Sequence, residues 1–192
     1  MKKIIVMMFT LLASTTIAMA NLYVDGFFIS NDAGDAKSQS GIGLKIAASI
    51  KDDINIFLKQ TYSATTEDPN TINETDYMQI QGFLGGEYLY YIQQFPLLVS
   101  LSAGIGVSST DIQPKEDASG IKELSETGIG FGFWLGTHWL LTQWIAPFIE
   151  IGYTKSMYTT DLKNASIGGL QFLVGLRFTV WGKNKSLSED FE

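Results

Sequence analysis

From residue 21 onward the chain alternates between two kinds of position with a period of two, and the alternation is clearest at its C-terminal end. In Gly169–Trp181, the residues Leu170, Phe172, Val174, Leu176, Phe178 and Val180 form an unbroken apolar face. The intervening Gly169, Gln171, Gly175, Arg177 and Thr179 are small or polar, with Leu173 the exception. Period two over this length predicts a β-strand between two unlike environments. It is long enough for a tilted crossing of a bilayer, which takes roughly 9–11 residues.

The same pattern recurs seven times upstream. Strands are predicted at about 21–30, 41–50, 54–64, 76–92, 97–110, 128–140 and 145–158. Polar stretches at 31–40, Thr65–Asp76, Asp111–Thr127 and 159–166 alternate with short turns at Lys51-Asp52-Asp53, Gln93–Pro96 and Leu141–Trp144. Long loops alternating with short turns are the signature of an up-and-down transmembrane barrel, with the turns in the periplasm and the loops outside.

The N-terminus carries Lys2 and Lys3, an apolar run from Ile4 to Leu12, and Ala18-Met19-Ala20, the three parts of a cleaved secretory signal. The expected organisation is therefore a signal peptide over 1–20, a barrel over 21–181 and a short periplasmic tail over 182–192. Removing Lys2 and Lys3 leaves 11 basic residues against 20 acidic ones, a net charge of −9. That balance argues against nucleic acid as a partner. There is no cysteine, so an exported protein of this kind holds together without disulfides.

Other architectures fit less well. Gly128, Gly130, Gly132 and Gly136, with Pro147 beyond, are costly in a membrane helix. Gly132-Phe133-Trp134 matches the Gly-x-Trp of lipocalins, but it lies deep in the chain, whereas theirs is near the first strand. Eight strands enclose a lumen that side chains can fill, which disfavours an open porin.

The mature chain resembles the small eight-stranded outer-membrane barrels of the OmpA/OmpX type, including the opacity-like proteins. Val174-Gly175-Leu176-Arg177-Phe178-Thr179-Val180-Trp181 looks like the closing-strand signal read by the barrel-assembly machinery. Typical members end on the aromatic residue, whereas eleven residues follow Trp181 here. The resemblance implies an all-β, antiparallel transmembrane barrel in the bacterial outer membrane, with loops outside and both termini periplasmic. It also implies contact with outer-membrane lipid and lipopolysaccharide.

Six charges fall on the predicted lumen faces: Asp25, Lys45, Lys59, Glu87, Glu150 and Arg177. They are expected to form one charge-paired layer that plugs the lumen, with Arg177 between Glu150 and Asp25. Tyr90, Trp139, Trp144 and Trp181 at one set of strand ends, and Tyr62, Tyr77, Tyr153 and Tyr158 at the other, are expected to form two aromatic girdles. His138, the only histidine, falls near the periplasmic rim and has no second histidine for a metal site. No catalytic, cofactor or metal residues are assigned. The expected role is structural or adhesin-like, with acidic loops meeting an extracellular partner. The alternatives are a small-solute channel and a lipid A-modifying enzyme.

Overall fold

A computed structural model of the protein describes residues 21–68, 74–92, 94–114 and 123–182. The segment expected to be a signal peptide, and all but Gly182 of the expected tail, lie outside the described residues. Eight strands form one closed antiparallel barrel: β1 (Leu22–Asp32), β2 (Ser38–Lys51), β3 (Ile54–Glu67), β4 (Thr75–Ile92), β5 (Leu97–Pro114), β6 (Leu124–Trp139), β7 (Ile145–Met157) and β8 (Leu170–Trp181). Each strand pairs with its neighbours in sequence, and β1 closes on β8 through pairs such as Asp25 with Arg177 and Phe27 with Gly175. Closure removes both sheet edges, which is what allows strands to sit in lipid.

The period-two pattern sorts the side chains as the sequence predicts. Phe28, Ile105, Leu135, Ile149 and Val174 are exposed on the outside, while Gln79, Ser100, Thr154 and Arg177 are buried within. Leu173, the apolar exception on its face, is fully buried in the lumen against Phe148, Trp134 and their neighbours. An exterior this apolar suits hydrocarbon and not water.

Several lumen-facing glycines are sockets for aromatic rings. A Cβ on Gly152 would lie 2.0 Å from Trp134 Cδ1, and one on Gly132 would lie 2.4 Å from Trp134 Cη2. Gly43 takes the Phe27 ring in the same way, at 2.2 Å from Cε2. The indole and phenyl rings thus lie over bare backbone of their own or the neighbouring strand, and rings from different strands meet edge to face, as Phe83 and Trp134 do at 5.1 Å.

Two of the expected loops are shorter than their polarity suggested. The ladder between β3 and β4 continues to Glu67–Thr75, and that between β5 and β6 to Ile112–Leu124. Polar residues extend these hairpins past the apolar belt because cross-strand hydrogen bonds serve where burial does not. Thr66 Oγ1 donates to Asp76 at 2.7 Å, and Ser125 donates to Asp111. The wall from β3 to β6 therefore stands taller than the rest of the barrel. The β1–β2 connection shrinks to 33–37, a tight turn with Gly34 and Lys37 at positive φ.

Candidate functional site

The lumen near the end that carries Leu22 and Trp181 (the terminal end) holds all six predicted charges, each buried. Register explains their arrangement. Lys59, Lys45, Asp25 and Arg177 lie directly opposite one another on β3, β2, β1 and β8 and form one row. Two lysines side by side in this row call for acids from elsewhere, and Glu87 of β4 and Glu150 of β7 supply them across the lumen.

Arg177 grips Asp25 with a two-pronged contact, Nε to Oδ1 and Nη2 to Oδ2, both at 2.8 Å. The same Nη2 reaches Glu87 Oε1 at 2.9 Å. Lys45 Nζ bonds Glu87 Oε1 at 2.9 Å and stands 3.2 Å from Asp25 Oδ2 and 3.6 Å from Glu150 Oε2. Lys59 bonds Glu150 Oε1 and lies 4.0 Å from the centre of the Trp134 ring. Asn55 Nδ2 adds a bond to Glu87 Oε2 at 2.8 Å. Three acids and three bases thus balance, with rings of Tyr23, Phe27, Phe57 and Trp134 packed over the cations.

One expected pairing is corrected. Glu150 is not a partner of Arg177. On β8 it faces Leu173, and the β7 residue opposite Arg177 is Ala146. The four-residue offset turns Glu150 towards the two lysines and gives Glu87 its place at the guanidinium.

Two further expectations change. Tyr77 does not belong to a girdle. It shares parity with Gln79 and Gln81, points inward, is only 5% exposed, and donates its hydroxyl to Glu67 at 3.2 Å. Tyr158 is likewise inside. Tyr62, Tyr90, Trp139, Trp144, Tyr153 and Trp181 are exposed on the exterior. His138 is not at an open rim: it is fully buried, Nε2 lies 3.0 Å from Ser100 Oγ, and the ring packs on Phe148 at 5.1 Å. Leu98 stands directly opposite it on β5 and packs with Leu89, Leu140 and Ala146 in an apolar cluster at this end, so the last residues of β6 are enclosed rather than open at a rim.

Towards the opposite end (the loop end) the lumen filling becomes polar but uncharged. Asn31 Nδ2 donates to Gln79 Oε1 at 2.9 Å, and Gln171 Nε2 donates to Gln81 Oε1 at 3.0 Å, both across the barrel. Trp134 Nε1 donates to Gln171 Oε1 at 3.0 Å and links this network to the aromatic rings.

Above it lies a cap that sequence reasoning missed. The β7–β8 connection folds inward, so that Tyr158, Leu162 and Ile167 pack on Ala33, Ala36, Tyr77 and Ile112. Glu126, near the top of β6, holds it in place. Its Oε1 accepts the backbone N–H groups of Thr159 and Thr160 at 2.8 and 2.7 Å, and its Oε2 accepts that of Leu162 at 2.8 Å. Glu126 lies beyond the apolar belt. Removal of water raises its pKa, but the N–H groups of Leu162, Thr160 and Thr159 outweigh this and hold the carboxyl at about 2. Asp35 braces the other side, accepting from Ser166 N at 2.6 Å. The only signal for this cap was Leu162 and Ile167, two isolated apolar residues in an otherwise polar stretch.

No protein-family model matches the chain, and no curated protein sequence matches it. Solved structures do. The chain is similar to Neisserial surface protein A, with a TM-score of 0.60 at 15% identity over 82% of this chain and 95% of that one. It is also similar to OprG of Pseudomonas aeruginosa, with a TM-score of 0.62 at 12% identity over 85% and 97%. A third is Ail of Yersinia pestis, solved with the heparin analogue sucrose octasulfate, with a TM-score of 0.53 at 9% identity over 83% and 96%. The chain has the fold of the small eight-stranded outer-membrane β-barrels.

Proposed function

We propose that this protein is an outer-membrane barrel with a non-catalytic, surface-interaction role, its lumen closed and its acidic loop end facing outward. The observation that carries this reading is the continuous filling of the lumen. The apolar floor, the charge row with its rings, the uncharged polar network and the inward-folded β7–β8 connection follow one another along the barrel. A balanced charge cluster of this kind adds little net stability, because desolvation offsets most of the pairing.

The loop end bears Glu67, Asp68, Asp76, Asp111, Glu123 and Glu126. Ail was solved with a polyanion, but an acidic surface such as this suits a partner with a basic one. Membrane contacts with lipid and lipopolysaccharide, and insertion by the barrel-assembly machinery, complete the reading.

The test combines single-channel recording of the refolded protein in planar bilayers with a lipid A mass spectrum of expressing cells. The expected result is no steady conductance and unaltered lipid A. Stable unitary currents would make the protein a channel, and a change in lipid A acylation would make it an enzyme. Protease added to intact cells is expected to cut at Lys115 or Lys122 and to spare Lys51; the reverse would invert the orientation.

A further inference from the structure

The uncharged layer beneath the cap holds more hydrogen-bonding capacity than it uses. Asn31 Oδ1, Gln81 Nε2, Thr154 Oγ1 and Ser156 Oγ have no partner among the described residues, although each side chain is at most 2% exposed. Register gathers them around Gln171. Asn31 is its ladder partner on β1, and Gln81 is bonded to it across the lumen. Thr154 and Ser156 are the next inward positions on β7 beyond Gly152, the partner of Gln171 on that strand. Buried polar atoms are seldom left unmatched, so four in one layer call for a physical reason.

The cap reaches into the same layer. Tyr158, its first residue, sets its hydroxyl 3.1 Å from Ser108 Oγ and 2.7 Å from Thr110 Oγ1. Gln79 Nε2 turns to the same two hydroxyls, at 3.4 Å from each. The Tyr158 ring lies on bare backbone, since a Cβ on Gly128 would stand 2.9 Å from its Cδ1. A phenol thus occupies a seat built from amides and hydroxyls. The segment that carries it rejoins β8 through Gly168, at a φ of 126°, and Gly169, and a single carboxylate clasps its backbone.

We propose that this layer is a binding site for a neutral sugar, with Tyr158 and the cap as its displaceable occupant. Hydroxyl groups both donate and accept, so they match two unpaired hydroxyls, one acceptor and one donor. An ion is disfavoured, because this layer has no charged side chain to pair with it and its burial would be costly. Below, the Trp134 indole, bonded to Gln171, offers a ring face to the apolar side of a sugar. Entry needs only the cap to swing out, and the charge row beneath stays closed. The inference goes beyond a surface role and rests on the loop end facing outward.

Trp139→Phe, Trp144→Phe and Trp181→Phe leave Trp134 as the sole tryptophan. In the full protein refolded in detergent, Trp134 emission should respond saturably to glucose and not to glucuronate at equal osmolality. Glu126→Gln, which frees the cap, should tighten the response about tenfold, because the competing occupant is weakened. Thr154→Val should weaken it about fivefold, the scale of one hydrogen bond. Ser156→Ala replaces that variant if Thr154→Val fails to keep its heat-dependent gel mobility. Glucose should also speed hydrogen exchange at the cap amides of Thr159, Thr160 and Leu162, as linkage requires of a ligand that displaces the cap. No saturable response even in Glu126→Gln would mean that the layer takes water only and would overturn the proposal. So would an equal response to glucuronate, or binding that is unchanged by removal of the hydroxyl. Protease cutting at Lys51 on intact cells would overturn the outward reading and leave the detergent titration standing, so the two failures are separable.

Discussion

The two ends of the lumen are closed by different means. At the terminal end, the charged residues that fill the lumen stand on the strands themselves, and only Leu140 of the apolar cluster beside them comes from a turn. Lys59, Lys45, Asp25 and Arg177 are ladder neighbours, so the register that closes the barrel also assembles the charge row. At the loop end, the closing residues stand on a connection, and one carboxylate from the taller wall fastens it. Disturbing the first should disturb the barrel. Disturbing the second should open a cap and leave the barrel in place.

Arg177→Ala is the strongest test of the strand-borne end. It leaves Asp25 and Glu87 as buried acids short of a counter-charge, a change that typically costs about 3–5 kcal/mol. Urea unfolding followed by tryptophan fluorescence should show the loss. Adding Asp25→Asn should recover part of it, because Asp25 holds the two-pronged contact. Adding Glu150→Gln should not, since the lysines satisfy Glu150. Recovery by Glu150→Gln and not by Asp25→Asn would contradict the register argument.

Gly152→Ala tests the aromatic packing between the two ends. Its Cβ would fall 2.0 Å from Trp134, whose ring is fixed by Gln171 and by neighbouring rings. Overpacking of this kind costs about 1–3 kcal/mol. Gly82→Ala on the exterior meets ordinary contacts and should change stability by less than about 0.5 kcal/mol. Equal effects at the two positions would mean that the Trp134 ring can shift aside at no cost.

Strand number, facing and the membership of the charge row were legible because each is a property of period two, which a single sequence displays in full. Partner choice within the row was not. Strand tilt shifts neighbours by several residues, so Arg177 meets Ala146 on β7 and Glu150 meets Leu173. Tyr77 shows a different failure: its residue type suggested an interface position, while its parity with Gln79 already placed it inside. Where type and parity disagree on a barrel strand, parity decides, because a side chain cannot change face without a shift of register. The cap was nearly silent, since backbone N–H groups, rather than side chains, carry the contacts to Glu126.

The smallest expected effect, and the one that best separates the two ends, is the pH response of the cap. The Glu126 carboxyl sits at about 2 in the folded protein against an ordinary value of 4.5. A carboxyl whose pKa is lowered by folding binds its proton more readily when the cap is open, so acid favours opening. The contribution of Glu126 is therefore complete above pH 4.5 and fades as pH falls through 2. Hydrogen exchange at the amides of Thr159, Thr160 and Leu162 reads it directly. Protection, corrected for the intrinsic pH dependence of exchange, should be flat from pH 7 to 5 and fall steeply below 4. Amides of β1 and β8 beside Asp25 and Arg177 should keep theirs over the same range. In Glu126→Gln the three cap amides should be poorly protected at every pH, with gel mobility and unfolding midpoint close to the parent's. A variant that lost its barrel together with its cap would show that the loop end is as integral to the fold as the charge row, and the distinction between the two closures would fall.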